Sequence, residues 1–230
     1  MGNMYQNGGY VEKNPTYHVE DSLWKAQQIL KMVSKHNLRP ASVCEIGCGA
    51  GEILKQLQPH FPKETQFFGY EISPQAFELC KQRQSDTLRF FCQDLLAMET
   101  NPFDLLLCID VFEHVEDYIG FLRKLRQKAI YKLFHIPMDM SVQRVLRCTP
   151  IVEGRSQLGH IHYFSKETAL LTLQDTGYEV LAWFYTPVII DRGKTLKRKI
   201  AKLPMKIFSL INSDLAVRIL GGYSLLVLAK

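Results

Sequence analysis

The stretch Val43-Cys44-Glu45-Ile46-Gly47-Cys48-Gly49-Ala50-Gly51 constrains this chain more than any other part of it. A short apolar strand, Ser42–Ile46, runs into three glycines at alternate positions, and a helix is predicted over Gly51–Leu57. Glycine accepts positive φ and leaves no Cβ between the backbone and a ligand. The amides at the start of the helix face whatever sits in the turn. Alone, the pattern is also that of a tight turn whose glycines serve packing. Its neighbours along the chain shift the balance.

Strands and helices alternate from this point. Gln66–Glu71 reads as a second strand, and Ser73-Pro74 then supplies an N-cap and a first helical residue for a helix to about Arg83. Leu88–Cys92 is a third strand. Phe103–Ile109, apolar apart from Asp104, has the pattern of a central strand covered on both faces. Val115, Ile119, Leu122 and Leu125 mark the next helix, and Ala129–Ile136 a fifth strand. Units of this length imply an α/β, Rossmann-like fold: seven strands, mostly parallel, with right-handed crossovers and helices on both faces. Tyr178–Tyr185 and Tyr223–Leu228 are the two late strands, the last expected to be antiparallel.

A chain of 230 residues fits one domain and one core. Residues 1–40 are expected to cap it, with Asp21 or Ser22 starting a helix that ends near Lys35. The core spans 41–136, an excursion over 137–164 covers the substrate, and a basic helical insertion over 192–220 precedes the last strand. Cys44, Cys92 and Cys108 lie in apolar runs as small hydrophobes, and no second Cys/His pair stands at zinc spacing beside Cys44 and Cys48. The first residues lack a secretory pattern, so a cytoplasmic location is expected.

Two carboxylates give the glycine turn a chemistry. Glu71 ends the second strand twenty residues beyond Gly51, where an acid can accept both hydroxyls of a ribose. Asp94 follows the third strand, within reach of an adenine amino group. A dinucleotide fingerprint would need its third glycine at position 52, but that position is Glu52, whose charge would also repel a pyrophosphate. Glu45 before the turn suits a cationic cofactor. Register and charge both favour S-adenosylmethionine (SAM), which carries an ammonium and a sulfonium, over a nicotinamide dinucleotide.

Together, Glu45-x-Gly47-x-Gly49-x-Gly51, Glu71, Asp94 and Asp110-Val111-Phe112-Glu113-His114 resemble class I SAM-dependent methyltransferases, in the broad group with ubiquinone-pathway and small-molecule O-methyltransferases. The likeness covers roughly residues 41–186. It implies that Gly47, Cys48, Gly49 and Gly51 line the methionine portion and that Glu45 approaches its amino group. Glu71 would hold the ribose, and Asp94 with Ile72 and Leu95 would hold the adenine. Ile109 and Asp110 would flank the reactive end. The reaction implied is methyl transfer to a small-molecule acceptor, at oxygen; an RNA or protein acceptor stays open but gets little support from the near-neutral bulk of the chain, and no nucleic acid is expected as partner.

Catalytic residues are expected among Glu113, His114 and His160. Asp110 and Glu113 equally suit the start of a helix, where carboxylates favour the dipole, with His114 exposed. At the lip of the site His114 would instead take a proton from an acceptor hydroxyl, its ordinary pKa suiting work near neutrality. Some relatives with a similar acid-x-x-Glu-His arrangement bind a divalent metal and others carry it without one; the first acid here is the shorter Asp110, so a metal at Asp110, Glu113 and His114 stays open and none is assigned. His160 lies in Gly159-His160-Ile161-His162-Tyr163-Phe164-Ser165, ahead of a helix capped by Ser165, facing either the substrate or only its own loop. Trp24 and Lys25 have two readings, cover for the cofactor or core residue and solvated face.

From Asp191 to Lys206 there are seven Lys/Arg (Arg192, Lys194, Lys197, Arg198, Lys199, Lys202 and Lys206) against one Asp, a local charge of +6, while the whole chain carries +5 and the remainder is close to neutral. Leu196, Ile200, Leu203, Ile207 and Leu210 form a stripe through this stretch. It reads as a docked helix with solvated cations, and contact with a membrane surface or lipid-linked acceptor through 192–211 stays open. Two rivals to the enzyme remain: an NAD-dependent oxidoreductase and a catalytically silent SAM-binding partner protein.

Overall fold

The computed structural model describes residues 8–187 and 212–230. Its strands form one sheet in the order β3-β2-β1-β4-β5-β7-β6. They are β1 (Ser42–Ile46), β2 (Gln66–Tyr70), β3 (Leu88–Phe91), β4 (Phe103–Ile109), β5 (Ala129–Pro137), β6 (Val180–Pro187) and β7 (Tyr223–Ala229). β1 to β5 pair in parallel, and β7 runs antiparallel between β5 and β6. The expected Rossmann-like sheet with one antiparallel strand is therefore present. Chain order reverses between β1 and β4, which is where open α/β sheets bind their ligands, beyond the carboxyl ends of the strands.

Alternate residues of the central strands feed two cores. On β4, Leu106 and Cys108 join Phe112, Phe134 and Phe164 on one face, while Leu105, Leu107 and Ile109 join Ile29, Leu54 and Phe90 on the other. A period of two with both faces covered makes the strand apolar at nearly every position. Asp104 escapes this because it sits at the strand's beginning, where its carboxylate accepts from the Ala41 and Ser42 amides. Cys92 departs from the expectation. β3 ends at Phe91, and Cys92 is exposed just beyond it.

The described α-helices are α1 (Gly9–Lys13), α2 (Val19–Lys35), α3 (Glu52–Leu57), α4 (Pro74–Lys81), α5 (Tyr118–Leu125), α6 (Val142–Arg147), α7 (Thr149–Glu153), α8 (Lys166–Asp175) and α9 (Ser213–Leu220). Ser73 caps α4 by accepting from the Ala76 amide, with Pro74 as first residue, and Ser165 caps α8 in a reciprocal pair with Thr168. α2 starts at Val19, ahead of Asp21 and Ser22. Left-handed backbone at Tyr17 and His18 (φ 48° and 56°) turns the chain there, so Asp21 stands in the first turn beside the positive helix end and does not cap it. α5 starts at Tyr118, capped by Asp117, leaving Phe112–His114 as a separate 3-10 turn. Of the basic insertion, only residues 212–220 fall within the described part, and the stripe from Leu196 to Leu210 lies outside it.

Candidate functional site

The glycine turn is held from below. The amides of Gly47 and Cys48 both donate to the Tyr70 carbonyl, at 2.8 and 3.1 Å, so the turn is sewn to the end of β2. Gly47, Gly49 and Gly51 all have positive φ, of 65°, 54° and 76°. At Gly51 the requirement is absolute in space as well. A Cβ there would lie 2.5 Å from the Phe90 ring. Cys48 and Ile109 are buried beside the turn, and both belong to the core that α2 and α3 cover.

Glu71 sits one residue past β2, where its carboxylate receives the Gly49 amide on one oxygen and the Ser73 amide on the other, each at 2.8 Å. Burial raises its pKa, and these donors oppose the rise. The acid thus ties the glycine turn to the start of α4. Asp94 is exposed and accepts from the Leu96 amide, capping a 3-10 turn. Ile72 is 45% exposed on the rim, as an adenine-facing residue would be. Leu95 differs: its side chain is wholly buried in the core, which leaves its backbone as the part that can meet a ligand.

Glu45 is buried on β1, and its Oε2 has no hydrogen-bond partner. Burial pushes its pKa well up, against the pull of nearby Lys25. A buried carboxylate with a spare oxygen at the mouth of a glycine turn fits a cationic ligand, since an unsatisfied polar group inside a protein costs about 1–3 kcal/mol.

The amino-terminal segment folds over this mouth. Tyr17 lies against Gly49 and bonds Ser73 Oγ through its hydroxyl at 2.9 Å. Lys25 Nζ reaches Asp110 Oδ2 at 2.8 Å, while Asp110 Oδ1 meets His135 Nδ1 at 2.6 Å. His135 continues through Nε2 to Thr186 Oγ1 at 2.9 Å, and the Trp24 ring stands edge-on to His135. Burial would raise the Asp110 pKa, but His135 and Lys25 override it and hold the carboxyl far below its ordinary range. The solvated-face reading of Lys25 is therefore overturned. Asp110 itself has φ 54°, a left-handed residue at the end of β4 and no part of a helix.

A second acidic cluster lies under the excursion. Glu113 is fully buried, and neither of its carboxylate oxygens has a hydrogen-bond partner. Burial and then the charge of Asp110 raise its pKa well above the carboxylate range. The His114 and His160 rings stand 5.0 Å apart, and ligand atoms of Glu113, His114 and His160 all lie within 4.8 Å of one another. His160 Nδ1 is bonded to Asp139 Oδ2 at 2.6 Å, which leaves Nε2 for the cluster. The other oxygen of Asp139 holds Arg144. The loop carrying His160 is itself pinned, because the Ile161 and His162 amides donate to the Glu113 carbonyl at 3.0 and 3.1 Å.

Two expectations change here. His114 is mostly buried, and burial together with His160 pushes its pKa down to about 4. It is neutral near pH 7 and a weaker base than its ordinary value implied. Asp110 cannot share a cation with Glu113 and His114 without releasing Lys25 or His135. His160 takes its place in the cluster. Asp139, Lys25 and His135 were not among the expected site residues. In the sequence Lys25 has two readings, and Asp139 and His135 carry no local motif.

The chain belongs to the methyltransferase domain family, whose model matches residues 21–182. A tRNA U34 carboxymethyltransferase from Sulfurimonas denitrificans is 26% identical over 166 residues, 65% of this chain and 52% of that protein. Ubiquinone biosynthesis O-methyltransferase from Coxiella burnetii is 28% identical over 85 residues, 35% of each chain. The chain thus spans about half or a third of the length of these curated relatives. Magnesium protoporphyrin IX methyltransferase from Synechocystis PCC 6803, solved with S-adenosylhomocysteine, superposes with a TM-score of 0.61 at 16% identity, covering 90% of this chain and 82% of the other. Among the described residues, no helix is long and apolar enough to cross a membrane.

Proposed function

We propose that the protein transfers the SAM methyl group to a hydroxyl oxygen of a small-molecule acceptor bound beneath residues 137–164. The observation that carries this reading is the pairing of His160 with Asp139, beside His114 and Glu113 at the end of β4. In this reading Glu45 meets the cofactor's ammonium, the amides of the Gly47–Gly51 turn meet its methionine portion, and Glu71 turns toward the ribose. Asp94 and the backbone at Leu95 receive the adenine against Ile72, while Ile109 and Asp110 wall the reactive end. When bound, SAM supplies a methyl group on a sulfonium, which departs as a neutral thioether.

The chain's own contribution is alignment and proton removal. With SAM bound, the acceptor oxygen would take the methyl group as the thioether leaves, and His160 Nε2 would accept the hydroxyl proton. Asp139 holds the ring through Nδ1 and stabilises the cation that results. Positioning accounts for most of the rate, and a base adds a further factor of about 100 or more. His160→Ala should lower kcat about 100-fold and leave SAM affinity within twofold. Production of S-adenosylhomocysteine against a panel of phenols, sugars and isoprenoid alcohols gives the first number, and calorimetry the second. An unchanged kcat on the best acceptor would sink the assignment. A tRNA in the same panel tests the nucleoside class that one relative's name suggests.

A second reading has its own support in the orphaned Glu113 carboxylate. Glu113, His114 and His160 make a donor set for one divalent cation, with Asp139 orienting His160 from behind. Such an ion would draw the acceptor hydroxyl toward its ionised form. Manganese should then raise the melting temperature of the parent chain and leave Glu113→Gln unmoved. Equal shifts in both would remove this reading.

A further inference from the structure

Tyr10 is the buried residue of α1, and no role described so far uses it. Its hydroxyl meets His18 Nε2 at 3.2 Å. Its ring lies 5.2 Å from that of Tyr17, which itself lies against Gly49 on the cofactor side. The same segment is fastened to the excursion. Lys13 Nζ donates to the Ser156 carbonyl at 2.8 Å, and Asn14 Nδ2 to the Gln157 carbonyl at 3.0 Å. Residues 10–17 thus link the glycine turn to residues 154–158, and Tyr10 belongs to that link. Burial raises the pKa of its phenol far above the ordinary range, and the charges of Asp110, Tyr17, Glu113 and Glu71 add to the rise. The hydroxyl therefore stands in the joint field of the reactive end, the histidine cluster and the ribose side.

Backbone strain fixes the way this ring stands. Tyr17 and His18 are consecutive residues in the left-handed region, at φ 48° and 56°, a costly conformation that only surrounding contacts can hold. The turn they make brings His18 onto the Tyr10 hydroxyl and Tyr17 against Gly49. A sulfonium loses its charge as its methyl leaves, so a full anion pressed against it would favour the starting state and slow transfer. The acids around Tyr10 are already engaged. Asp110 is paired with Lys25 and His135, both oxygens of Glu71 receive amides, and burial with the Asp110 charge drives Glu113 toward its protonated form. The face of an aromatic ring attracts a cation more gently than a carboxylate does, which suits a charge that must disappear. A phenol that keeps its proton is also no rival nucleophile for the methyl group.

We propose that the Tyr10 ring receives the sulfonium end of SAM, and so distinguishes SAM from its neutral product, S-adenosylhomocysteine. This role rests on the cofactor placement proposed above and is independent of the acceptor and of the base.

Calorimetry of the full chain with SAM and with S-adenosylhomocysteine tests it. Tyr10→Leu keeps apolar bulk but removes the ring. It should weaken SAM binding about tenfold and S-adenosylhomocysteine binding by about threefold or less. Tyr10→Phe keeps the ring and should hold the parent's ratio of the two affinities within about threefold. Equal losses for both ligands in Tyr10→Leu overturn the proposal, because lost packing alone would produce them. Unchanged SAM affinity in that variant overturns it too. A parent that binds neither ligand would overturn the cofactor placement as well, so the two failures are told apart. Should Tyr10→Leu not fold, the parent itself decides. The methyl resonance of methyl-labelled SAM should move upfield on binding, under the ring current, and stay there in Tyr10→Phe. An unshifted methyl resonance overturns the assignment.

Discussion

Gly47–Gly51 follows β1, and Gly159–Ser165 is bonded to Glu113 just beyond β4, yet different forces fix them. The first is a local object. Its conformation follows from glycine φ values, two amides on the Tyr70 carbonyl and the carboxylate of Glu71. The second takes shape only through partners far along the chain: Glu113 receives its amides, Asp139 holds His160, and Phe164 packs on Phe112. A local turn tolerates change around it and almost none within it. A site assembled at long range tolerates conservative change in its loop, but loses function when one distant partner goes.

The sharpest way to break this contrast is Gly51→Ala. A methyl 2.5 Å from the Phe90 ring at φ 76° combines overpacking with left-handed strain. The cost should be about 2–5 kcal/mol, or a fall in melting temperature of roughly 10 °C, with SAM binding lost in calorimetry. A variant that melts and binds like the parent would mean that the turn is not the rigid element described.

Glu45→Gln should act in two directions. Its carboxyl pKa is raised by burial, so the folded state holds its proton more tightly than the unfolded chain does. Stability from this group is full below its ordinary pKa and is lost as pH rises above it. At neutral pH the amide should therefore melt about 2–4 °C higher, a gain of about 1 kcal/mol. SAM affinity should fall about tenfold as a charge-assisted contact goes. Parallel melting and titration curves check both signs, and a loss of stability would show that the carboxylate is satisfied.

The smallest effect belongs to His114. Its pKa falls from 6.5 to about 4, so the neutral ring is the folded form. Stability from this group is full above pH 6.5 and is lost as pH falls toward 4. His114→Gln should flatten the melting profile across that window and leave it unchanged at pH 8. A parallel slope in parent and variant would assign the acid sensitivity elsewhere.

Legibility followed the same division. β1 and β4 are readable to the residue because a strand covered on both faces writes itself as a run of apolar side chains, and Ser73-Pro74 and Ser165 announce their helices by capping chemistry. Glu71 stands one residue past the end of β2, and that position brings it to the glycine turn, where it accepts from the Gly49 amide. α2 starts at Val19, ahead of the expected Asp21 or Ser22, because left-handed backbone at Tyr17 and His18 has no signature in those residue types. Asp139 was invisible for another reason. Its meaning lies in a bond to His160 and an ion pair to Arg144, and nothing in the residues around it reports either.

By itself, then, the sequence determined the parallel sheet, its glycine turn and the row of carboxylates, because backbone preference and burial period act over a few residues at a time. Tertiary structure alone decided that Lys25 answers Asp110, that His160 stands beside Glu113 and His114, and that Val145 and Leu146 face outward. Those outcomes depend on which distant surfaces meet once the sheet has formed, and no local propensity encodes them.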